Sequence, residues 1–182
     1  MAKWITFFSQ TGSEIVEVSN RLNRWPDLII TNQRPDSLRT INSELLGNCP
    51  DLVVLPNRPT VEDYKNVLGN LSETETTVTL HGWLRVVPQE IVNQCPSMYN
   101  GQTGLISKYP ELKGKDPQQK AWELGLKESG CVIHKVTAGV DEGPLYRITA
   151  TSIEGLSLDE IYNKLHDISV RQWVSFLRRH WL

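Results

Sequence analysis

Short apolar runs alternate with amphipathic segments through the first half of the chain. The runs lie at 3–8, 27–31, 51–55 and 76–80 and are rich in β-branched and aromatic residues. Between them, apolar residues recur at helical spacing, as Leu38, Ile41 and Leu45 do in a helix predicted over 36–46. Continuous apolar strands that alternate with helices are typical of a parallel sheet covered on both faces. The pattern therefore predicts an α/β fold with a mostly parallel sheet and helices on both faces.

The second half of the chain predicts an antiparallel addition to this sheet. Gly130–Val136 and Pro144–Ser152 are strand-like and are joined by one loop, so they are expected to pair antiparallel. Ser157 and Glu160 have the spacing of a capping box and predict the start of a long last helix. The chain has 182 residues, of which 39% are hydrophobic, so residues 1–182 are expected to form a single domain.

Composition narrows the classes of partner. The formal net charge is -2, with both signs interspersed, which argues against a nucleic acid duplex or an anionic membrane as the partner. Small molecules are favoured instead. Cys49, Cys95 and Cys131 are odd in number and lack metal-ligand spacing, which predicts buried thiols in a reducing compartment and no metal site.

The ends and apolar runs of the sequence predict a location. No apolar run approaches the roughly 20 residues that a membrane helix needs. The N-terminus lacks the charged and apolar regions of a secretory leader. A cytoplasmic protein is therefore expected, and its oligomeric state is left open.

The first turn between a strand and a helix is a candidate anion site. In parallel sheets, ligands bind beyond the carboxyl ends of the strands. Thr11, Gly12, Ser13 and Glu14 follow the first strand, Ser13 is a plausible N-cap, and free amides at a helix start favour an anion. The turn thus predicts a phosphate or carboxylate subsite. The alternative is an ordinary turn with a capping serine, and the charge of Glu14 counts against an anion.

The loop after the fourth strand is a candidate binding slot. Leu84, Arg85, Val86 and Val87 form an apolar stretch with one cation. Such a stretch could line a slot for a flat heterocycle. The alternative is packing around Trp83, with Arg85 extending its charge outward.

Two glycine-bearing loops carry an amide, an imidazole and a carboxylate that could converge at one site. Asn100 opens the first loop, Asp141 lies in the second, and His134 lies on the strand between them. Each residue also has an ordinary structural interpretation. Asn100 and Gly101 form a common hairpin dipeptide, residues 141–144 favour a turn, and His134 could be a core histidine.

These loops resemble the formyltransferase family that uses 10-formyltetrahydrofolate, most closely its glycinamide ribonucleotide formyltransferases. The family signature is Asn-x-His-Pro-Ser-Leu-Leu-Pro-x-Tyr-x-Gly, then a Val-His strand and an Asp-x-Gly-Pro loop. The matching segments here are Asn100–Pro110, Val132–His134 and Asp141–Pro144. Ser9–Ile15 is similar to the family's phosphate loop, and Gly82–Val87 is similar to its folate loop.

The resemblance implies a Rossmann-like formyltransferase fold and a one-carbon transferase of the kind found in purine biosynthesis. The reaction would move a formyl group from the co-substrate 10-formyltetrahydrofolate to an amine of a small, phosphorylated or nucleotide-like acceptor, without a metal. It implies Asn100 as the oxyanion donor, Asp141 as the proton acceptor through water, and His134 as the orienting or substituting base. The implied folate-binding residues are Leu84, Arg85, Val86, Val87, Ala138, Gly139, Val140 and Asp141, and the implied acceptor-binding residues are Thr11, Gly12, Ser13 and Glu14.

Two positions depart from the family pattern. The catalytic histidine of the family falls on Gln102, and the acidic residue near the substrate ribose falls near Ser169. Gln102 can donate an auxiliary hydrogen bond but cannot donate a proton at neutral pH. The alternative function is therefore a catalytically impaired folate- or nucleotide-binding protein that keeps the fold. If the site follows the family route, Gln102→His should raise turnover.

Overall fold

The computed structural model describes residues 3–33, 40–49, 51–69, 75–139 and 141–181. These residues divide into two compact units, one that runs to Tyr99 and includes Trp181, and one that covers Asn100–His180. The boundary falls within a strand, and the single domain expected for residues 1–182 remains a prediction.

The strands of the described residues are β1 (Lys3–Phe8), β2 (Leu28–Thr31), β3 (Leu52–Val54), β4 (Thr76–His81), β5 (Met98–Gln102), β6 (Glu128–Lys135) and β7 (Leu145–Ser152). The helices are α1 (Ser13–Leu22), α2 (Ser43–Asn48), α3 (Val61–Leu68), α4 (Gln89–Gln94), α5 (Pro117–Glu123) and α6 (Leu158–His180), and Pro110–Leu112 form a 3₁₀ turn. The predicted α/β class, with parallel strands first and an antiparallel pair towards the C-terminus, is confirmed.

The first unit contains a parallel sheet in the order β3-β2-β1-β4. Ile5 of β1 lies opposite Leu28 on one side and Val78 on the other. Every residue of β4 is buried, as expected for a strand covered on both faces. The core beneath α1 and α2 consists of Phe8, Ile15, Val16, Ile29, Ile41, Leu45 and Cys49.

Two helix starts in this unit differ from the sequence prediction. The N-cap of α1 is Gly12, at φ 74°, and not Ser13, which is already the first helical residue. A glycine is needed there because of the left-handed backbone. The second helix was expected over 36–46 but begins at Ser43, because the Asn42 side chain accepts a hydrogen bond from the Glu44 N–H at 2.9 Å. Residues 34–39 lie outside the described residues.

In the second unit, β6 and β7 pair antiparallel, as predicted, with a bulge at Ile133 and His134. The predicted capping box of α6 is also present, since the Ser157 N–H donates to Glu160 at 2.8 Å and the Glu160 N–H donates to Ser157 at 3.3 Å. The core of this unit consists of Ile106, Leu112, Ala121, Cys131, Val132, Ile153, Ile161 and Leu165.

The three cysteines are buried, as predicted, and none of them forms a disulfide. Burial, helped by the negative charge of Asp27, raises the pKa of the Cys49 thiol to about 11. This thiol donates to the Pro26 carbonyl, so its role is structural. Among the described helices, none combines the length and the apolar character that crossing a membrane requires.

Candidate active site

Asn100, His134 and Asp141 lie together in the second unit. The Asn100 side-chain nitrogen is 3.2 Å from both His134 Nε2 and Asp141 Oδ1. His134 Nε2 and Asp141 Oδ1 are 3.3 Å apart, and the two side chains are 3% and 9% exposed. The convergence expected from the sequence is therefore present for these three residues, called here the amide–imidazole–carboxylate cluster.

The loop between β6 and β7 brings Asp141 back to the strand that carries His134. Its closing contact is the Lys135 N–H, which donates to the Pro144 carbonyl at 2.9 Å. Gly143 permits this closure, because a Cβ there would lie 1.6 Å from the Lys135 carbonyl oxygen. Asp141 itself has a φ of 53°, a conformation that aspartate tolerates better than most residues. Gly143 and Asp141 thus allow the backbone conformation that this loop adopts.

The hydrogen bonds of His134 determine which ring nitrogen can exchange a proton. Nδ1 lies 3.0 Å from the Lys135 carbonyl oxygen, which can only accept, so Nδ1 carries a hydrogen. In the neutral ring, Nε2 accepts from the Asn100 amide. In the protonated ring, Nε2–H donates to Asp141. His134 can therefore take up a proton at Nε2, beside a carboxylate.

Asp141 uses its two oxygens differently. Oδ1 faces Asn100 and His134, whereas Oδ2 accepts a hydrogen bond from the Gly114 N–H at 2.9 Å. Burial alone would raise the pKa of Asp141, but hydrogen bonds from His134, Gly114 and Asn100 outweigh burial and hold that pKa below its usual value. The carboxylate is therefore charged at neutral pH.

Gln102 follows Asn100 on β5 and is 8% exposed. Its side-chain Nε2 donates to the carbonyls of Leu112, at 3.3 Å, and Gly114, at 3.0 Å. A primary amide has two N–H groups, so both are engaged by the backbone. The auxiliary-donor role expected for Gln102 would require it to release one of these carbonyls.

The first unit carries the predicted anion turn. Thr11 and Ser13 are engaged with each other, with their hydroxyl oxygens 3.0 Å apart and the Ser13 N–H donating to Thr11 at 3.3 Å. The Glu14 carboxylate lies 2.6 Å from His81 Nδ1, and His81 Nε2 is 3.0 Å from the Thr79 hydroxyl. The first turn of α1 thus presents a carboxylate that is held by a buried histidine.

The predicted folate loop of the first unit is anchored at its middle and apolar on its surface. The Leu84 N–H donates to Ser9 at 3.0 Å, and the Arg85 guanidinium bonds the backbone and side chain of Asn57. Leu84 and Val86 are 41% and 60% exposed, whereas Val87 is buried. The Arg85 guanidinium is therefore held by the loop that contains Asn57. The apolar side chains of this stretch that remain accessible are those of Leu84 and Val86.

Three further predicted residues belong to the loop before Asp141. Ala138 is exposed and Gly139 is half-buried. Val140 lies outside the described residues. A residue that the sequence analysis missed is Gly114, which acts through its backbone N–H. Its φ of 83° favours glycine, but a lone glycine between two lysines does not indicate which backbone group it presents.

Residues 3–177 match a protein-family model described as "Formyl transferase". The chain belongs to the formyl transferase family. Because this match covers nearly the whole chain, the family is established independently of the motif comparison.

The curated relatives of this chain include a methionyl-tRNA formyltransferase and a formyltetrahydrofolate deformylase. The chain is 27% identical over 94 residues to methionyl-tRNA formyltransferase from Campylobacter hominis, an alignment that covers 52% of the chain and 30% of that relative. It is 27% identical over 92 residues to formyltetrahydrofolate deformylase from Synechocystis, which covers 50% of the chain and 31% of that relative. The matched stretch is thus under one third of the length of these curated relatives.

A solved structure shows the same fold. Phosphoribosylglycinamide formyltransferase from Streptococcus pneumoniae superposes with a TM-score of 0.81 and 20% identity, covering 100% of both chains. This confirms the predicted formyltransferase fold. In the described ranges of the chain, no group of three or more histidine, cysteine or acidic residues could hold a metal ion.

Proposed function

We propose that the chain is an enzyme that transfers a formyl group from 10-formyltetrahydrofolate to an amine of a small acceptor. The observation that carries the proposal is the amide–imidazole–carboxylate cluster, in which Asn100, His134 and Asp141 lie within 3.2–3.3 Å of one another. Membership of the formyl transferase family supports the reaction class.

Asn100 supplies the hydrogen-bond donor for the transfer. Attack of an amine on a formyl carbon places negative charge on the formyl oxygen, and a fixed N–H group stabilises that charge. The Asn100 amide is held in position by His134 and Asp141, both at 3.2 Å. Reorienting one N–H towards the substrate leaves the other to keep the side chain in place.

His134 and Asp141 handle the proton. His134 Nε2 accepts the proton that the attacking amine loses as the new C–N bond forms, and Asp141 stabilises the resulting cation from 3.3 Å. The same nitrogen can return that proton to N10 as the bond between N10 and the formyl carbon breaks. The products are then a formamide and tetrahydrofolate, and no net proton is required.

Side chains of the first unit bear on both the folate and the acceptor. Reduced folate supplies the activated formyl group when bound, and Leu84 and Val86 offer exposed apolar side chains of the kind that cover a pteridine ring. In the first unit, the Glu14 carboxylate counts against a phosphate at the Thr11–Glu14 turn. We therefore propose an acceptor other than glycinamide ribonucleotide.

The net charge bears on the type of acceptor, and the cysteines bear on the cellular compartment. A formal net charge of -2 gives little attraction for the backbone of a tRNA acceptor. Three buried thiols outside any disulfide suit a reducing compartment. We place the reaction in the cytoplasm, with a small-molecule amine as the acceptor.

The test is a transfer assay with matched variants. The protein is incubated with 10-formyltetrahydrofolate and a panel of small amines, with water alone as the remaining acceptor, and tetrahydrofolate release is measured. Asn100→Leu should lower the rate by about 10²- to 10³-fold. Asn163→Leu, at an exposed position of α6 in the same unit, is the control and should retain the rate.

Two outcomes would contradict the proposal. Binding of the folate without release of tetrahydrofolate, with any amine or with water, would identify a binding protein that keeps the fold. Release with water alone would identify a hydrolase.

A further inference from the structure

We infer that Gln102 is a positioning residue that fixes the Asp141 carboxylate through the backbone of Gly114. The inference deepens the proposed function and depends on formyl transfer only for its activity readout. It concerns the position at which this chain departs from the family histidine.

Gln102 connects β5 to the segment 110–114. The Gln102 amide donates to the carbonyls of Leu112 and Gly114 at 3.3 and 3.0 Å. The glutamine is 8% exposed, so water competes little for these bonds. A single side chain thus ties two carbonyls of one turn to the strand that carries Asn100.

The peptide group between Lys113 and Gly114 connects this segment to Asp141. Its N–H donates to Asp141 Oδ2 at 2.9 Å, and its carbonyl oxygen accepts from Lys120 Nζ at 2.7 Å. Both ends of this peptide group are therefore bonded, and a cation on the carbonyl strengthens the N–H as a donor. The orientation of this peptide group determines where Asp141 Oδ2 is held.

The Gly114 hydrogen bond orients Asp141 within the amide–imidazole–carboxylate cluster. With Oδ2 anchored by Gly114, Oδ1 is directed at Asn100 and His134, at 3.2 and 3.3 Å. Without the Gln102 bonds, the turn that carries Gly114 loses its tie to β5. Asp141 would then move relative to His134, and a shift of about 1 Å at a reacting group can lower a rate on the order of 10²-fold.

The main test uses Gln102→Met, which keeps the length of the side chain and removes both donors. Backbone amide exchange at Gly114, followed by NMR, should quicken by up to about tenfold, as expected for one weakened hydrogen bond. The pKa of Asp141, followed by carbon-13 NMR of its carboxyl group, should rise towards its usual value. With 10-formyltetrahydrofolate, kcat should fall by about 10²-fold while KM for the folate stays unchanged.

The matched control is Gln119→Met. Gln119 is an exposed glutamine on α5 of the same unit, and it donates to Glu123 at 2.7 Å. This variant should leave the Gly114 amide, the Asp141 titration and the rate as in the unmodified protein. If Gln102→Met does not fold, Gln102→Asn keeps the amide but withdraws it by one methylene from both carbonyls, and it should shift both NMR readouts in the same direction.

A histidine at position 102 gives a second, opposite test. A neutral imidazole has one N–H and cannot serve both carbonyls, so a positioning role predicts that Gln102→His lowers turnover. The family route predicts a gain. A gain in turnover with unchanged exchange at Gly114 would overturn the inference.

The two proposals fail in distinguishable ways. Absence of transfer by the unmodified protein would overturn the proposed function, while the exchange and titration of Gln102→Met still decide the positioning role. Loss of transfer in Gln102→Met with both NMR readouts unchanged would overturn the positioning role. The proposed formyl transfer would not be affected by that result.

Discussion

Asp141 contacts both the backbone that holds its loop in place and the side chains of the candidate active site. Its Oδ2 is held by the Gly114 N–H at 2.9 Å, and its Oδ1 lies beside Asn100 and His134. A carboxylate that is buried this far is stable as an anion only because these donors surround it. Its charge therefore affects both the stability of the loop and the proton transfer proposed for His134.

The depressed pKa of Asp141 predicts a pH-dependent contribution to stability. An acid whose pKa is lowered on folding stabilises the protein above its unfolded pKa, and this contribution is lost as pH falls through the folded pKa. Asp141→Asn should thus lower the free energy of unfolding most at neutral pH. The difference from the unmodified protein should shrink in acid, as measured by urea unfolding from about pH 7 to about pH 3. A difference that is constant with pH would contradict the assigned hydrogen bonds.

Asp141→Asn also has an expected effect on catalysis. The amide keeps the shape of the side chain but cannot stabilise a protonated His134, so transfer should fall by about 10²- to 10⁴-fold. Affinity for folate should change little, as measured by titration of ligand binding. An equal loss of binding and turnover would indicate that the aspartate only shapes the loop.

At the residue scale, the sequence predicted side chains better than backbone groups. Asn100, His134 and Asp141 were expected to converge because they lie on two loops and on the strand between them, and they do. Gly114 was not expected, since a backbone N–H leaves no trace in residue identity. Gln102 was recognised as a departure, but its carbonyl partners depend on a turn that motif spacing does not define.

At the scale of elements, β5 owes its close packing to a glycine between two site residues. A Cβ at Gly101 would lie 2.6 Å from the Trp173 indole nitrogen of α6, and Trp173 is fully buried. The indole cannot move aside without disturbing the core. Asn100 and Gln102 lie on either side of Gly101, so this contact also fixes where the strand holds these two candidate site residues.

Gly101→Ala is therefore expected to destabilise the protein by about 1–3 kcal/mol, the usual cost of an overpacked core. Transfer activity should fall as well, because Asn100 and Gln102 shift with the strand. The control is Gly47→Ala in α2, where a Cβ would meet nothing within 4 Å and where alanine favours the helix. Thermal unfolding and initial rates of both variants give the comparison, and an unshifted melting temperature for Gly101→Ala would refute the packing argument.

Element type was predictable from periodicity, whereas helix starts were not. The parallel pairing of β1 with β2 and β4 follows from continuous apolar runs, because both faces of those strands are covered. The start of α2 at Ser43 depends on the Asn42 cap. Leu38 extends the apolar spacing back beyond that cap, so spacing alone gave an earlier start.

At the scale of the whole molecule, the chain consists of two compact units with different predicted tasks. The unit that runs to Tyr99 exposes the apolar Leu84 and Val86 and presents Glu14 at the first turn of α1. The unit that begins at Asn100 contains the amide–imidazole–carboxylate cluster. Substitutions at Leu84 and Val86 therefore test folate binding, and substitutions at Asn100 and His134 test the chemistry.

Reduced folate should raise the melting temperature of the full chain. A ligand that binds only the folded state contributes about 2.7 kcal/mol at a hundredfold excess over Kd, which for a chain of this size is roughly 5–10 °C. Val86→Ser should reduce this shift, because Val86 is a 60% exposed apolar side chain in the predicted folate loop. Ile148→Ser, at a 53% exposed position of β7, is the matched control and should keep it. Differential scanning fluorimetry with tetrahydrofolate gives the measurement, and equal shifts in both variants would remove Val86 from the folate site.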